Sequence, residues 1–392
     1  MSNQNVLNEQ LRRAFQSTFE SEPFIYSAPV RVNLIGEHTD YNEGFVMPCA
    51  INFDTHVAIA PNNTRKLSLR SVEYPEAFVF DIDEFPVSKI GAWPDYVLGT
   101  AVMLKKAGCQ LTGADLLIRS QVPIGAGLSS SAALEVATAM ALMHVSGTKF
   151  PWRDVAKLCQ KAENEFVGAR VGIMDQFTAC FWKADSALLL DCGSLEFQWI
   201  RLPSNIRLVI CNTMVKHDLA TGEYNRRRAE CEAGVTAMRS QDSAIRSLRD
   251  VTLKQLQGSQ SKLSETIYKR CLHVVEENQR VLDGARALAE SDVQHFGELM
   301  GESHRSLRDL YEVSCRELDT MVELAEGLPG YHGGRMTGGG FGGCTVNLVD
   351  ASECDRFASQ IAGRYHDATG IKPDIYICSA SDGASAREEA NE

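Results

Sequence analysis

A two-domain chain that mixes strands with helices is what the sequence predicts, and three observations carry the prediction. Strand-like and helix-like segments alternate through the first half, and charged helical patterns take over from about Tyr224. A length of 392 residues with 44% hydrophobic content is also enough for more than one buried core.

Taken in order, the polar stretch Met1 to Glu20 carries Leu11-Arg12-Arg13-Ala14-Phe15 in a helical pattern and lacks the apolar centre of a signal peptide. Ala28 to Leu34 alternates like a strand and runs into a glycine turn. Thr55 to Ala60 and Lys66 to Arg70 read as further strands, and Tyr96 to Lys106 and Val155 to Val167 as helices. Strand patterns return at Ala187 to Leu190 and Leu208 to Cys211. Helical ones follow at Arg226 to Glu232, Arg270 to Leu288 and His295 to Leu324, with Gln257 to Lys262 as the most loop-like interior stretch. Cys344 to Val349 and Ile371 to Cys378 read as strands. The predicted division is 1–205 and 206–392, with the last strand assignable to either domain. Glu388 to Glu392 is expected to fray.

Charge and cysteine usage narrow the function classes. A net charge of -12 argues against a general binder of nucleic acid or anionic membrane, since those surfaces reward clustered Lys and Arg. The 12 cysteines show no paired C-x-x-C spacing, so reduced thiols are expected rather than zinc. No run approaches the length of a membrane span. A cytoplasmic location is the default expectation, and the sequence names no protein partner.

Four segments are dense in chemistry. Pro123-Ile124-Gly125-Ala126-Gly127-Leu128-Ser129-Ser130-Ser131-Ala132 opens a strongly helical stretch, where free N–H groups, the helix dipole and close backbone approach suit a phosphate. A plain serine cap accounts for the same residues equally well. The absence of Gly-Lys-Ser/Thr excludes a Walker A loop. Gly338, Gly340 and Gly343 satisfy G-x-G-x-x-G, but a strand follows them instead of a helix, which excludes the dinucleotide fingerprint. So many glycines imply close backbone approach, to another strand or to an anion. In Gly36-Glu37-His38-Thr39-Asp40-Tyr41-Asn42, the carboxylates accept hydrogen bonds from hydroxyls and the histidine donates or accepts. That cluster suits a polyhydroxylated ligand or, equally, a polar surface turn. Glu163 lies in a helix and could supply one carboxylate to Mg²⁺. Asp175 opens an apolar stretch, as a charge at a helix N-terminus would.

Together these segments resemble the galactokinase family. The Gly-Glu-His-Thr-Asp-Tyr run looks like its signature, and Pro123 to Ala132 looks like the phosphate loop shared by galacto-, homoserine, mevalonate and phosphomevalonate kinases. Gly338 to Gly343 matches their third motif. Similarity extends to Gly172-Ile173-Met174-Asp175-Gln176, Gly222-Glu223-Tyr224-Asn225 and Glu302-Ser303-His304-Arg305-Ser306.

The resemblance implies an α+β small-molecule kinase fold of two domains with the active site in the cleft between them, and phosphorylation of galactose at its anomeric hydroxyl by ATP. It assigns sugar binding to Glu37, His38, Thr39, Asp40, Gly172 and Tyr224. ATP binding falls to Gly125, Ala126, Gly127, Leu128, Ser129, Ser130, Ser131, Ser71, Trp93 and Tyr96, and Mg²⁺ to Ser131 and Glu163. Asp175 and Arg31 are implied as the catalytic pair, with Asp175 acting either as base or as orienting charge. A kinase for galacturonate, arabinose or N-acetylgalactosamine, or a galactose and ATP sensor without turnover, is the alternative. Such sensors can lack a Ser-Ala pair that stands here as Ser131-Ala132. Lys216 stands where some members carry arginine.

Overall fold

A computed structural model describes residues 3–122, 127–216 and 220–380. The chain runs α1 (Asn3–Phe19), β1 (Phe24–Asn33), β2 (Phe45–Val46), β3 (Pro48–Pro61), β4 (Lys66–Ser71), β5 (Phe78–Asp81), α2 (Pro94–Lys106) and β6 (Ala114–Ser120). It continues through α3 (Ser130–Val145), α4 (Trp152–Lys161), α5 (Met174–Phe181), β7 (Ser186–Asp191), β8 (Phe197–Arg201), β9 (Ile206–Lys216), α6 (Ala220–Arg239) and α7 (Leu253–Gly258). The last elements are α8 (Glu265–Ala289), α9 (Val293–Ser306), α10 (Arg316–Ala325), β10 (Tyr331–Thr337), β11 (Gly342–Asp350), α11 (Cys354–Thr369) and β12 (Asp374–Cys378).

Five strands form a sheet in the order β1-β3-β6-β4-β5, with β4 and β6 parallel and the other pairs antiparallel. Alternation explains its layers. On one face Ala58, Ala60 and Leu117 meet Leu11 and Phe15 of α1. On the other, Val57, Ile59, Leu116 and Ile118 pack with α3. A helix apolar all round must be buried, and α3 is that case, with every residue from Ala132 to Met143 buried. It lies against β1 and β3 and is flanked by α2, α4 and α5.

A second sheet has the order β10-β11-β9-β12, and a small three-stranded one the order β2-β7-β8. Val209, Cys211 and Val349 turn one face of the second sheet toward α10 and α11, while Ile210, Val346 and Leu348 join the same apolar cluster as the five-stranded sheet. The two sheets therefore share a core. β12 pairs with β9, and beyond it Ala380 bridges to Ile51 of β3 while Tyr376 sets its ring edge-on to Phe53 at 5.4 Å.

Two expectations are corrected. The loop-like stretch 257–262 ends α7, whose start is fixed by a reciprocal box between Thr252 and Gln255, and then makes a single turn at Gln260–Lys262. The helical stretch 295–324 is broken. After α9 a widened π turn, Leu307–Tyr311, ends at Glu312 in the left-handed region (φ 56), and α10 starts afresh at Arg316. Periodicity cannot register that break, because apolar side chains resume in phase after it. Among the described residues no helix is long and apolar enough to cross a membrane. All twelve cysteines are unpaired.

Candidate active site

One cavity of about 570 Å³ collects residues from both halves of the chain. Arg31 lines it from close to the end of β1, where the pairing with β3 shifts between Pro29 and Arg31. Such a bulge re-aims a side chain. The Arg31 guanidinium grips Asp175 through both its Nε and Nη2, each at 2.7 Å, and its Nη1 donates to the Gly127 carbonyl at 3.3 Å. A forked, charge-assisted pair of this kind is held in orientation as well as in charge. Asp175 sits in the first turn of α5, and the Ser129 hydroxyl also donates to it.

That last contact takes the Ser129 side chain away from capping α3. Ser129 precedes α3 with φ 61 and makes no capping bond through its side chain. Its hydroxyl is committed to Asp175. Gly127, Leu128, Ser129, Ser130 and Ser131 line the cavity, and Gly125 and Ala126 lie outside the described residues. The second glycine-rich turn closes on the first: a Cβ on Gly338 would stand 3.0 Å from the Gly127 carbonyl. Gly340, at φ 83, would collide with the Val313 carbonyl if it carried one. Here the glycines serve close backbone packing.

The signature turn is fastened from behind. Glu277 accepts hydrogen bonds from the Gly36 amide (2.9 Å), the Ser303 hydroxyl (2.5 Å) and Arg280 Nε (2.7 Å). Burial pushes its carboxyl up, but Arg280, His273 and Arg335 outweigh that and hold it at about 2. Glu37 accepts from the Gly338 amide at 2.6 Å, from Thr337 at 3.2 Å and from Asn33, and the buried Arg335 lies 3.8 Å away. Burial raises Glu37 against the pull of Arg335 and Arg31. His38 contacts the Tyr41 hydroxyl through Nδ1 at 2.9 Å and leaves Nε2 without a hydrogen bond. Burial, with His273, Arg227 and Arg335, pushes its pKa well down, so the ring is neutral. Tyr224 closes this end, its ring 5.5 Å from His38.

Thr39 requires a correction. Its hydroxyl is spent on the carbonyls of Gly36 (2.8 Å) and Phe45 (2.6 Å), and it does not line the cavity. It shapes the turn that presents its neighbours.

Asp40 is held between the Tyr41 amide, 2.9 Å from its Oδ1, and Gly172, where a Cβ would collide with its Oδ2. Only glycine fits there. Burial, and then the charge of Asp175, raise Asp40 from 3.8 to about 7. The native chain keeps that proton to about pH 7, whereas the unfolded chain releases it near its ordinary value, so stability falls as pH rises across that window. Asp40→Asn is therefore expected to be more stable than the parent above pH 7 by about 1–2 kcal/mol, the two converging toward pH 4. Thermal unfolding followed over that range checks it, and equal stability at pH 8 would show that the buried charge costs nothing.

The remaining wall divides into a carboxylate cluster and an aromatic end. Glu163 lies in a widened π turn, Ala162–Val167, that continues α4, a distortion that recurs at functional sites. Gln176 Nε2 bridges Glu163 at 2.8 Å and Glu135 at 3.0 Å. Burial and Asp175 raise Glu163 to about 7, and burial with Glu163 raises Glu135 further. The other Glu135 oxygen has no hydrogen bond. Carboxylates pushed up in this way are hard oxygen donors facing too little positive charge, and Ser131 hydrogen-bonds Glu163 beside them. They fit Mg²⁺, which takes one or two protein oxygens and completes its shell with phosphate and water. Among the described residues no group of three or more His, Cys, Asp or Glu is placed to hold a metal ion by itself. Ser71, Trp93 and Tyr96 also line the cavity, with Glu73 and Tyr74, and Tyr96 is close enough to Glu163 and Glu135 to feel their charge. Tyr74 stacks near Trp93 (6.5 Å, 17°), and the buried Trp93 Nε1 lacks a hydrogen bond.

All the expected site residues in the described segments except Thr39 thus line one cavity. Sequence reasoning missed Glu135, Gln176, Glu73, Tyr74 and Arg335. Glu135 alone had a legible signal, as a single carboxylate inside the apolar run Ala132 to Met143.

Comparison with known proteins follows the same lines. Residues 13–61 match the galactokinase galactose-binding signature, 95–183 the N-terminal domain of the GHMP kinases, and 285–367 their C-terminal domain. The chain is 47% identical over 375 residues to a galactokinase of Roseiflexus sp. (strain RS-1), covering 95% of this chain and 96% of that protein. It is 45% identical to a galactokinase of Chloroflexus aggregans, with 95% and 96% covered. Among solved structures, Lactococcus lactis galactokinase complexed with galactose superposes with a TM-score of 0.93 at 34% identity, covering 97% of this chain and 99% of that one. Methanococcus jannaschii mevalonate kinase shares the fold at 18% identity, with a TM-score of 0.67 over 92% and 99%.

Proposed function

The chain belongs to the galactokinase family, and on that premise we propose that it transfers the γ-phosphoryl group of ATP to the anomeric 1-hydroxyl of galactose, giving galactose 1-phosphate and ADP in galactose catabolism. The observation that carries this reading is the position of the Arg31–Asp175 pair. It stands where the signature residues Glu37, His38 and Asp40 meet the serine loop Gly127 to Ser131, and touches that loop at Gly127 and Ser129.

Glu37, His38, Asp40, the Gly172 backbone and Tyr224 hold the sugar. The serine loop cradles the phosphates, while Ser71, Trp93 and Tyr96 receive the base and ribose. Ser131 and Glu163 hold Mg²⁺, which neutralises phosphate charge when bound. Phosphoryl transfer usually has a loose transition state, so fixed geometry and charge contribute more than covalent help. Asp175 orients the sugar hydroxyl and takes its proton, and Arg31 stabilises the negative charge that develops on transfer. A domain division at 205/206 is supported by the second sheet, whose earliest strand begins at Ile206. A cytoplasmic location is supported by the twelve unpaired thiols.

Release of ADP, followed by a coupled assay with Mg²⁺ and a panel of hexoses, tests the reading. Turnover on galactose ahead of galacturonate, arabinose and N-acetylgalactosamine is expected. Preference for one of the others would reassign the substrate, and binding of galactose and ATP without ADP release would make the protein a sensor.

A further inference from the structure

Behind the sugar end of the cavity a hydrogen-bonded chain leaves His38 and runs into the helical core. His38 Nδ1 lies 2.9 Å from the Tyr41 hydroxyl, that hydroxyl 2.7 Å from the Tyr311 hydroxyl, and that in turn 3.2 Å from the Cys231 sulfur. His38, Tyr311 and Cys231 are all buried. Rings reinforce the geometry, with His38 4.7 Å from Tyr311 and 5.9 Å from Tyr41.

Each phenol has one proton and here two polar neighbours, so the chain can point in only two directions. If every proton points toward His38, Nδ1 accepts and Nε2 carries the ring proton. If every proton points away, the tautomer is reversed. Donor and acceptor strengths at the two ends select the first direction. A phenol is a strong donor and an imidazole nitrogen a strong acceptor, so the Tyr41 proton goes to Nδ1 at 2.9 Å. At the far end a thiol sulfur is a weak acceptor, which leaves the Cys231 S–H to donate to Tyr311 across 3.2 Å. Nε2 of His38 is buried with no hydrogen-bond partner in the protein, and it is the ring atom left for a ligand.

We propose that Tyr41, Tyr311 and Cys231 are positioning residues that hold His38 as its Nε2–H tautomer, so that the imidazole meets the ligand as a hydrogen-bond donor beside the acceptors Glu37 and Asp40. The proposal deepens the sugar-binding reading above and rests on it for the ligand. A hydroxyl can then accept from His38 while donating to a carboxylate, an arrangement that a hydroxyl-lacking analogue leaves unsatisfied on both sides. Because the ring is neutral, its tautomer and not its charge sets this preference.

Two-bond ¹H–¹⁵N correlation spectra of the ¹⁵N-histidine-labelled protein, recorded without sugar and with His38→Gln to assign the signal, read the tautomer directly. Nε2–H is expected at neutral pH. Tyr41→Phe, which cannot donate to Nδ1, is expected to shift the Nδ1 resonance as that of an accepting nitrogen that has lost its hydrogen bond, while Cys231→Ser, which keeps a donor, leaves it unchanged. In steady-state assays Tyr41→Phe and Tyr311→Phe are expected to raise the galactose KM about tenfold with the ATP KM unmoved. A structural defect would move both KM values together with the unfolding midpoint. An Nδ1–H signal in the parent protein, or a Tyr41→Phe spectrum identical to it, overturns the proposal. The spectra need no substrate, so the tautomer is settled even if galactose proves the wrong sugar.

Discussion

Replacing Arg31 with alanine is expected to reduce kcat by about a hundredfold or more, comparable to deleting a fixed oxyanion donor, and to weaken the fold in the same step. Both effects come from one geometry. Arg31 is 5% exposed and its guanidinium is forked onto Asp175, with Asp40, Glu37 and Glu163 close enough to feel its charge. Removing it leaves Asp175 with the Ser129 hydroxyl as its remaining side-chain donor, among other carboxylates. Breaking a buried pair on one side costs about 3–5 kcal/mol, reduced here because the Asp175 side chain is 23% exposed. Arg31→Lys restores a charge without the fork and should recover stability better than turnover. The double variant Arg31→Ala with Asp175→Asn should recover part of the stability and none of the activity. Turnover measured on protein shown by circular dichroism to be folded separates the effects. An Arg31→Ala enzyme with near-normal kcat would remove Arg31 from the chemistry.

How the site could be read from the sequence follows from the range of the forces that build it. Local signals were sound where local forces decide. The start of α3 at Ser130 follows from glycine, serine and an apolar helical run, and the strand leading to Gly36 from alternation. The signature and phosphate-loop residues were legible for the same reason, as compact motifs. What local reasoning could not see was where a side chain spends its hydrogen bonds. Ser129 looks like a cap and instead serves Asp175, 46 positions away. Thr39 stands inside the signature, yet its hydroxyl ties the turn to Gly36 and Phe45. Arg335 lies in a glycine-rich stretch and becomes a buried cation behind Glu37 only once β10 is laid beside the first strand's end. The division of labour between sheets was equally hidden, because β9, β11 and β12 are drawn together from distant parts of the chain.

Asp175→Asn is expected to keep galactose binding while losing about a thousandfold in kcat, within the range that general acid–base residues contribute. The amide preserves shape and one accepting oxygen, so the sugar pocket keeps its walls. It lacks the charge, and with it the ability to take a proton. The same loss relieves two neighbours, since the Asp175 charge is second only to burial in raising both Asp40 and Glu163. Asp40 should then ionise at lower pH, which improves it as an acceptor for a sugar hydroxyl. Galactose titrated calorimetrically near pH 6 should bind the variant at least as tightly as the parent, although Arg31 now faces an amide group across one arm of its fork and the fold is weaker. Affinity and turnover thus move in opposite directions, as expected where a charge is kept for the transition state at some expense to the ground state. If affinity falls with kcat preserved, Asp175 is a substrate ligand and the proton must leave by another route.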